Sequence, residues 1–144
     1  MTTGEMTTRE LLGEADRLLT TVVPGTRGRW PRACAWLIRL ALEQTLDAYW
    51  SRVLPQAAEC GMRPQLLLLP AYADGDIAEQ ARQAWMGLAR ATHHHAYELA
   101  PTAAELRGWH RAVSQLADDL GQATDSPESE SVEPVAGWPG AAAG

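Results

Sequence analysis

The sequence predicts an all-α fold, an up-and-down bundle of four long helices plus one short helix. Apolar residues recur with the helical period in four segments, and the segments are joined by short connections. Prolines and capping-box pairs stand at the segment ends, and no segment shows the apolar–polar alternation of a half-buried strand. The chain of 144 residues is long enough for one hydrophobic core and too short for two comfortable ones.

The first two helices are indicated by their start signals and by their composition. Thr7 and Glu10 have the spacing of a capping box ahead of an amphipathic segment that ends at Pro24. The second helix has Pro31 near its first turn, and residues 33–50 include only three charges. So scarce a polar face predicts a central, largely buried helix. We expect the three charges to lie on a solvated edge with one Arg–Glu pair; they are Arg39, Glu43 and Asp47.

The second half of the chain is predicted to add one short and two long helices. The run RPQLLLLPAY lies between two prolines and predicts a helical turn or a short helix. A long helix is predicted over residues 77–99, with an apolar stripe whose period passes through His95 and reaches Leu99. His95 is therefore expected to face the core or a cleft in it. Thr102 and Glu105 form a further capping-box pair, which predicts the start of the last helix. The predicted apolar stripe of this helix consists of Leu106, Trp109, Val113, Leu116 and Leu120.

Charge is distributed unevenly between the body of the chain and its C-terminal segment. The formal net charge is −6, but all six acids from Asp118 onward lie in a stretch without a base, so the preceding residues are neutral (12 minus 12). Residues 1–120 are predicted to form the helical domain, and residues 121–144 a disordered, acidic, Pro/Gly/Ser-rich tail. The N-terminus has no basic, apolar signal region, and no apolar run reaches membrane-spanning length, which predicts a cytoplasmic protein without membrane contact.

The stretch ARATHHHAYELAP carries the most distinctive chemistry, an arginine followed by four residues and a histidine. Arg90 and His95 resemble the Rx4-6H motif of the HEPN superfamily, the higher eukaryote and prokaryote nucleotide-binding domains. The segment LIRLALEQTLDAYW is similar to the second helix of these domains with its internal glutamate, here Glu43. HHHAYELAPTAAELRGW resembles a branch of small HEPN proteins of high-GC bacteria. The resemblance covers about residues 7–120.

The resemblance implies a bundle that dimerises around the motif helices and cleaves RNA without a metal or other cofactor. His95 would be the general base or acid, and Arg90 the phosphate clamp. The superfamily's involvement in toxin–antitoxin and other defence or stress-response systems implies RNA and an antitoxin protein as partners. Many active members carry a polar residue, often asparagine, directly after the arginine, where this chain has Ala91. A non-catalytic dimerisation or protein-interaction module therefore remains an open alternative.

The residues themselves fit RNA chemistry. Histidine titrates near neutral pH and can move the proton of a 2′-hydroxyl, while arginine offers a permanent bidentate charge to phosphate. On one continuous helix, Arg90 and His95 would lie about 140° apart and would not touch, which favours a site shared between two protomers. Four further residues are candidates for binding the substrate: His94, Tyr97, Arg29 and Arg32.

Two further interpretations involve metal ions and tryptophans. Consecutive histidines diverge by 100° each, and no second helix supplies a matching Glu-x-x-His pair, so no metal site is predicted. The six tryptophans are expected mainly to pack the bundle. Trp30 and Trp36 lie beside the arginines of the second helix, which leaves base stacking open for them.

Overall fold

The computed structural model describes residues 6–21, 29–93 and 99–125. Within these ranges every regular element is helical and none is a strand, so the all-α prediction is confirmed. Two short α-helices and a 3₁₀ turn lie between the second and third long helices, where the sequence predicts one short helix. In chain order the elements are α1 (Thr8–Thr20), α2 (Trp30–Val53), α3 (Pro55–Ala58), α4 (Met62–Leu68), the 3₁₀ turn (Leu69–Ala71), α5 (Gly75–Thr92) and α6 (Ala103–Asp125).

Local signals fix the helix starts. At α1 the Thr7 hydroxyl accepts from the Glu10 N–H (3.2 Å), and the Glu10 carboxylate accepts from the Thr7 N–H (3.3 Å). This is the reciprocal capping box that the sequence predicts. α2 has Pro31 in its first turn, where a missing N–H costs nothing because that group has no partner within the helix. Asp74 caps α5 by accepting from the Asp76 N–H (3.4 Å).

The core is built around α2, which packs against α1, α5 and α6. Ile38, Leu42 and Leu46 are completely buried, and each contributes about 1.5–3 kcal/mol by leaving water. The Cys34 thiol lies 3.5 Å from the Ala15 carbonyl of α1, and burial raises the pKa of this thiol to about 11. The prediction of a central helix is correct for this face of α2.

An aromatic cluster at the C-terminal end of α2 secures the short helices. The ring of Trp50 is fully buried and meets the rings of Tyr49 and Tyr72 edge to face, both at 5.2 Å between centroids. The Tyr49 hydroxyl donates to the Tyr72 carbonyl (3.2 Å), and Gln65 of α4 donates to Asp47 of α2 (2.9 Å). These contacts hold α4 and the following turn against the end of α2.

The predicted helix over residues 77–99 is too long at its C-terminal end. α5 ends at Thr92, and His93 has an extended backbone (φ −73°, ψ 130°). Leu99, which the predicted stripe places on the apolar face, is 96% exposed. The periodic pattern continues past residue 92, but no part of the core lies opposite Leu99. Without apolar surface to bury, further helical turns gain little stability from packing.

The solvated edge predicted for α2 is correct only in part. The Arg39–Glu43 pair exists, but Arg39 lies in the contact between α2 and α5, with only 23% of its side chain exposed. Asp47 is bound to Gln65 of α4. Arg39 is therefore part of the contact between two helices, whereas Asp47 binds α4 and is also exposed to solvent.

Two findings concern the ends of the fold. α6 continues to Asp125, so this helix includes the first residues of the segment assigned to the tail, and the remainder of that segment lies outside the described residues. None of the helices in the described part of the chain combines the length and the apolar character needed to cross a membrane.

Candidate functional site

An open cleft of about 660 Å³ lies between the C-terminal end of α5 and the N-terminal end of α6. Its walls are mostly apolar and carry a guanidinium, a carboxylate and a hydroxyl, a composition typical of ligand sites. We refer to it as the Arg90 cleft. Its lining residues are Gly87, Arg90, Ala91, Leu99, Ala100, Pro101, Thr102, Glu105 and Trp109.

Arg90 is in the last turn of α5 and is exposed. The buried side chains of Ala84, Leu88 and Thr92 fix the opposite face of this helix to the core, so Arg90 is presented from a rigid element. Among the described residues, no carboxylate forms an ion pair with its guanidinium. A guanidinium in the wall of a cleft can offer a bidentate charge to an anionic ligand.

Trp109 and Gly87 form the floor of the cleft through an unusually close contact. A Cβ atom at Gly87 would lie 2.5 Å from the Trp109 Nε1 atom and 2.8 Å from its Cε2 atom. The indole can occupy this position only because residue 87 has no side chain. The sequence prediction assigned Trp109 to the core stripe and did not identify Gly87. A glycine inside a helical pattern was the available signal, because it often marks a close approach.

The capping box at the start of α6 borders the cleft. The Glu105 carboxylate accepts from both the N–H and the hydroxyl of Thr102, each at 3.1 Å. The Thr102 hydroxyl oxygen in turn accepts from the Glu105 N–H (3.1 Å). This predicted cap orients the first turn of α6, and it engages the carboxylate instead of leaving it to neutralise Arg90.

The three consecutive histidines begin where α5 ends. His93 is exposed, and its N–H donates to the Arg90 carbonyl (3.3 Å). His94, His95 and Tyr97 lie outside the described residues. The predicted separation of 140° between Arg90 and His95 assumed one continuous helix, and it does not apply once α5 ends at Thr92. Helix geometry therefore does not favour a site shared between protomers.

Arg29 and Arg32 are at the N-terminal end of α2 and do not line the Arg90 cleft. Arg29 is exposed at the N-cap position, and Arg32 is half-buried. The structure therefore separates the predicted substrate-binding arginines from the predicted clamp. They belong instead to the edge of α2 that also carries Trp36.

Arg39 connects this edge of α2 to the end of α5. Its guanidinium lies 4.9 Å from the ring centroid of Trp36 and 4.6 Å from that of Trp85. Its Nε atom donates to Glu43 Oε1 (3.1 Å), and its Nη1 atom donates to Thr92 Oγ1 (2.7 Å). Because Thr92 is the last residue of α5, these bonds fix the point from which the histidine stretch departs.

Two other cavities in the described part of the chain contain more than one arginine. A groove of about 460 Å³ between α4 and α5 is lined by Arg63, Leu66, Leu67, Arg82, Trp85, Met86 and Ala89. A depression of about 360 Å³ between α1 and α6 contains Arg107, Arg111 and Asp16. It also contains His110, whose Nε2 atom lies 2.9 Å from the Leu12 carbonyl.

Metal ligands do not cluster in the part of the chain that the structure describes. No group of three or more His, Cys, Asp or Glu side chains is arranged there to hold a metal ion. Of the two cysteines, Cys34 is buried and Cys60 is exposed, and both are free thiols.

No protein-family model, curated protein or solved structure matches this chain.

Proposed function

We propose that this chain is an RNA-binding domain and a metal-independent endoribonuclease, with Arg90 and His95 at its active site. The observation that carries the proposal is the Arg90 cleft. It presents a guanidinium without a carboxylate partner among the described residues, beside an aromatic wall formed by Trp109. Such a site suits a ligand that combines a phosphate with a planar base.

The position of the histidine in the sequence supports a catalytic site at this cleft. His95 follows the exposed His93 by two residues, and two residues of chain span at most about 7 Å. Leu99, four residues further on, is itself a wall of the cleft. The described residues nearest to His95 in sequence are thus His93, at the end of α5, and Leu99, in the wall of the Arg90 cleft.

In the proposed reaction, His95 accepts the proton of an RNA 2′-hydroxyl, and the 2′-oxygen attacks the adjacent phosphorus. The bond from phosphorus to the 5′-oxygen breaks, that oxygen takes a proton from water, and the protonated His95 returns its proton to the solvent. The products are a 2′,3′-cyclic phosphate and a 5′-hydroxyl end. Arg90 stabilises the charge that develops on the phosphate oxygens. No metal or other cofactor takes part in these steps.

We also propose that the four long helices form an HEPN-like, up-and-down bundle and that the protein is a homodimer. Contacts between α1 and α2 support opposite directions for these helices, because Ala15 meets Cys34 while Met6 meets Gln44. Because the sequence resembles HEPN proteins, we further propose a role in a toxin–antitoxin, defence or stress-response system, with an antitoxin protein as partner.

The test is cleavage of an RNA that contains unpaired and paired segments, by purified protein in EDTA. We expect cleavage by the wild type and a loss of two or more orders of magnitude in Arg90→Ala and in His95→Ala. Arg63→Ala is the matched control, because it removes an exposed arginine outside the Arg90 cleft and should retain full activity. A substrate with a single 2′-deoxy nucleotide at the cleavage position should resist. Cleavage that survives either active-site substitution would contradict the proposed roles.

A mixing experiment determines whether one site uses residues from two protomers. If His95 of one protomer serves Arg90 of the other, an equal mixture of Arg90→Ala and His95→Ala chains regains about one quarter of the wild-type activity after subunit exchange. Half of the dimers are then mixed, and each has one intact site of two. If both residues act within one chain, no mixed dimer has an intact site, and the mixture stays inactive.

The second candidate function is a non-catalytic protein-interaction module. The groove between α4 and α5 favours it, because Leu67 is 76% exposed and Met86 50% exposed there. Apolar side chains grouped on a surface often mark a contact with another protein. Absence of both RNA binding and cleavage in a folded protein, together with a loss of self-association in Leu67→Ser, would support this function over the ribonuclease.

A further inference from the structure

The outer face of α2 carries a tryptophan that the fold leaves uncovered. Trp36 is 46% exposed and is the largest of the exposed apolar side chains among the described residues. The helix around it is apolar on nearly all sides, which normally indicates burial on all sides. Here the buried positions face α1, α5 and α6, while Trp36 and its neighbour Leu40 point outward. The exposed indole is therefore available to a ligand.

Trp36 is held in a fixed arrangement rather than left free at the surface. The Arg39 guanidinium lies against its ring at 4.9 Å from the centroid. Arg39 cannot move easily, since it is bonded to Glu43 and Thr92 and also contacts the ring of Trp85 at 4.6 Å. An aromatic ring that is already ordered loses little conformational entropy when a second planar group stacks on it.

Positive charge lies on the same edge of α2. At 100° and 1.5 Å per residue, Arg32 and Arg29 lie about 6 Å and about 10 Å before Trp36 along the axis, within about 40° of it around the helix. Between Asp16 and Glu43 the sequence contains no acid. We refer to Arg29, Arg32 and Trp36 together as the α2 edge, an aromatic surface flanked by basic side chains.

We infer that the α2 edge binds single-stranded RNA, with an unpaired base stacked on Trp36 and the neighbouring phosphates on Arg29 and Arg32. This inference rests on the proposed function and adds the class of substrate. Stacking on a protein aromatic requires a base that is not already stacked in a duplex. The groove between α4 and α5 also has a ring and two arginines, but there Arg82 is paired with Glu79 and the exposed side chains include Leu67 and Met86. An RNA segment bound here contacts the side of α2 that Arg39 joins to the end of α5.

The test is the affinity of the full chain for a fluorescein-labelled, 2′-O-methyl 12-nucleotide RNA, measured by fluorescence anisotropy. The 2′-O-methyl groups prevent cleavage, so binding is measured separately from catalysis. We expect Trp36→Leu, which keeps an apolar side chain but removes the ring, to raise Kd about tenfold. Trp36→Phe keeps a ring and should stay within about threefold of the wild type. Arg29→Ala should raise Kd and reduce its dependence on salt.

Two controls make the result specific. Tyr72→Leu removes an aromatic side chain of similar exposure (47%) at the other end of α2 and should leave Kd unchanged. A fully paired duplex of the same length should bind the wild type and Trp36→Leu equally. Far-ultraviolet circular dichroism and the unfolding midpoint establish that each variant is folded.

The outcomes separate this inference from the proposed function. Wild-type binding that Trp36→Leu leaves unchanged would overturn the stacking role while RNA binding stands. Equal losses in Trp36→Leu and Trp36→Phe would also overturn it, because the Phe variant retains a ring. If Trp36→Leu changes the sedimentation coefficient but not Kd, the α2 edge is instead an interface between copies of this chain. No binding by the folded wild type would overturn both the stacking role and the proposed function.

Discussion

Two arginines near the C-terminal end of α5 have opposite surroundings. Arg39 is bonded to Glu43 and Thr92 and lies between two tryptophan rings, so the fold satisfies its charge. Arg90 lines an open cleft and has no ion pair with a described residue. Arg39 therefore holds the end of α5 against α2, whereas Arg90 lies in the wall of a cleft. Residue type alone does not distinguish these roles, because both are arginines on long helices.

The sharpest test of this comparison is to remove each arginine and measure stability. Arg39→Ala should lower the free energy of unfolding by about 2–3 kcal/mol, because it deletes charged hydrogen bonds and cation–π contacts of a mostly buried group. Arg39→Met should recover part of this loss by filling the space between the rings. Arg90→Ala should change stability by less than about 0.5 kcal/mol. Urea unfolding measures all three. Similar losses in the two alanine variants would show that the distinction is wrong.

Substitutions at two glycines test the close contact between Gly87 and Trp109 in the Arg90 cleft. Gly87→Ala places a Cβ atom against the Trp109 indole, so we expect a loss of about 1–3 kcal/mol and a changed Trp109 fluorescence. Gly108→Ala is the matched control, since a Cβ atom there meets nothing within 4 Å. It should stabilise α6 by about 0.5–1 kcal/mol through its helix propensity. The midpoint temperature of thermal unfolding should therefore fall for Gly87→Ala and rise for Gly108→Ala. A shift in the same direction for both variants would contradict the close contact.

The smallest expected effect concerns a third arginine, Arg82, whose partner is exposed. Arg82 and Gln83 both donate hydrogen bonds to the Glu79 carboxylate, and these bonds lower the pKa of Glu79 from 4.5 to about 2. Because the folded pKa is lowered, the ionised carboxylate stabilises the fold above pH 4.5, and this contribution is lost as pH falls through about 2. Carbon-13 NMR titration should report the low pKa in the wild type and a higher value in Arg82→Met. Solvent screening keeps the accompanying change in stability small.

Much of the fold was predictable because its signals are local. The capping boxes at Thr7 and Thr102 join residues three apart, so the sequence contains the whole interaction. The apolar stripe of α6 is confirmed for its buried members, since helical period alone determines which residues share a face. The predicted stripe of α5 fails at Leu99, where nothing covers the exposed side chain. Periodicity identifies a face but does not show whether another element packs on it.

The candidate site was predictable only in part. Arg90 was found by its spacing from His95, and the structure assigns it to a cleft. The contact of Gly87 with Trp109 joins two helices, and no local pattern contains both residues. The same holds for Arg39, whose pairing with Glu43 was predicted but whose bond to Thr92 was not. Contacts between residues far apart in sequence depend on how helices pack.

The sequence by itself determined that this protein is helical, where most of its long helices begin, and which residues share the apolar face of each helix. Propensity, capping and period act over a few residues, so they can be recognised without the rest of the fold. Only the tertiary structure decided that α5 ends at Thr92, that Arg39 is enclosed while Arg90 is open, and that Trp36 is exposed. These features depend on which helix faces overlap, because burial and partner choice arise only when the helices pack together.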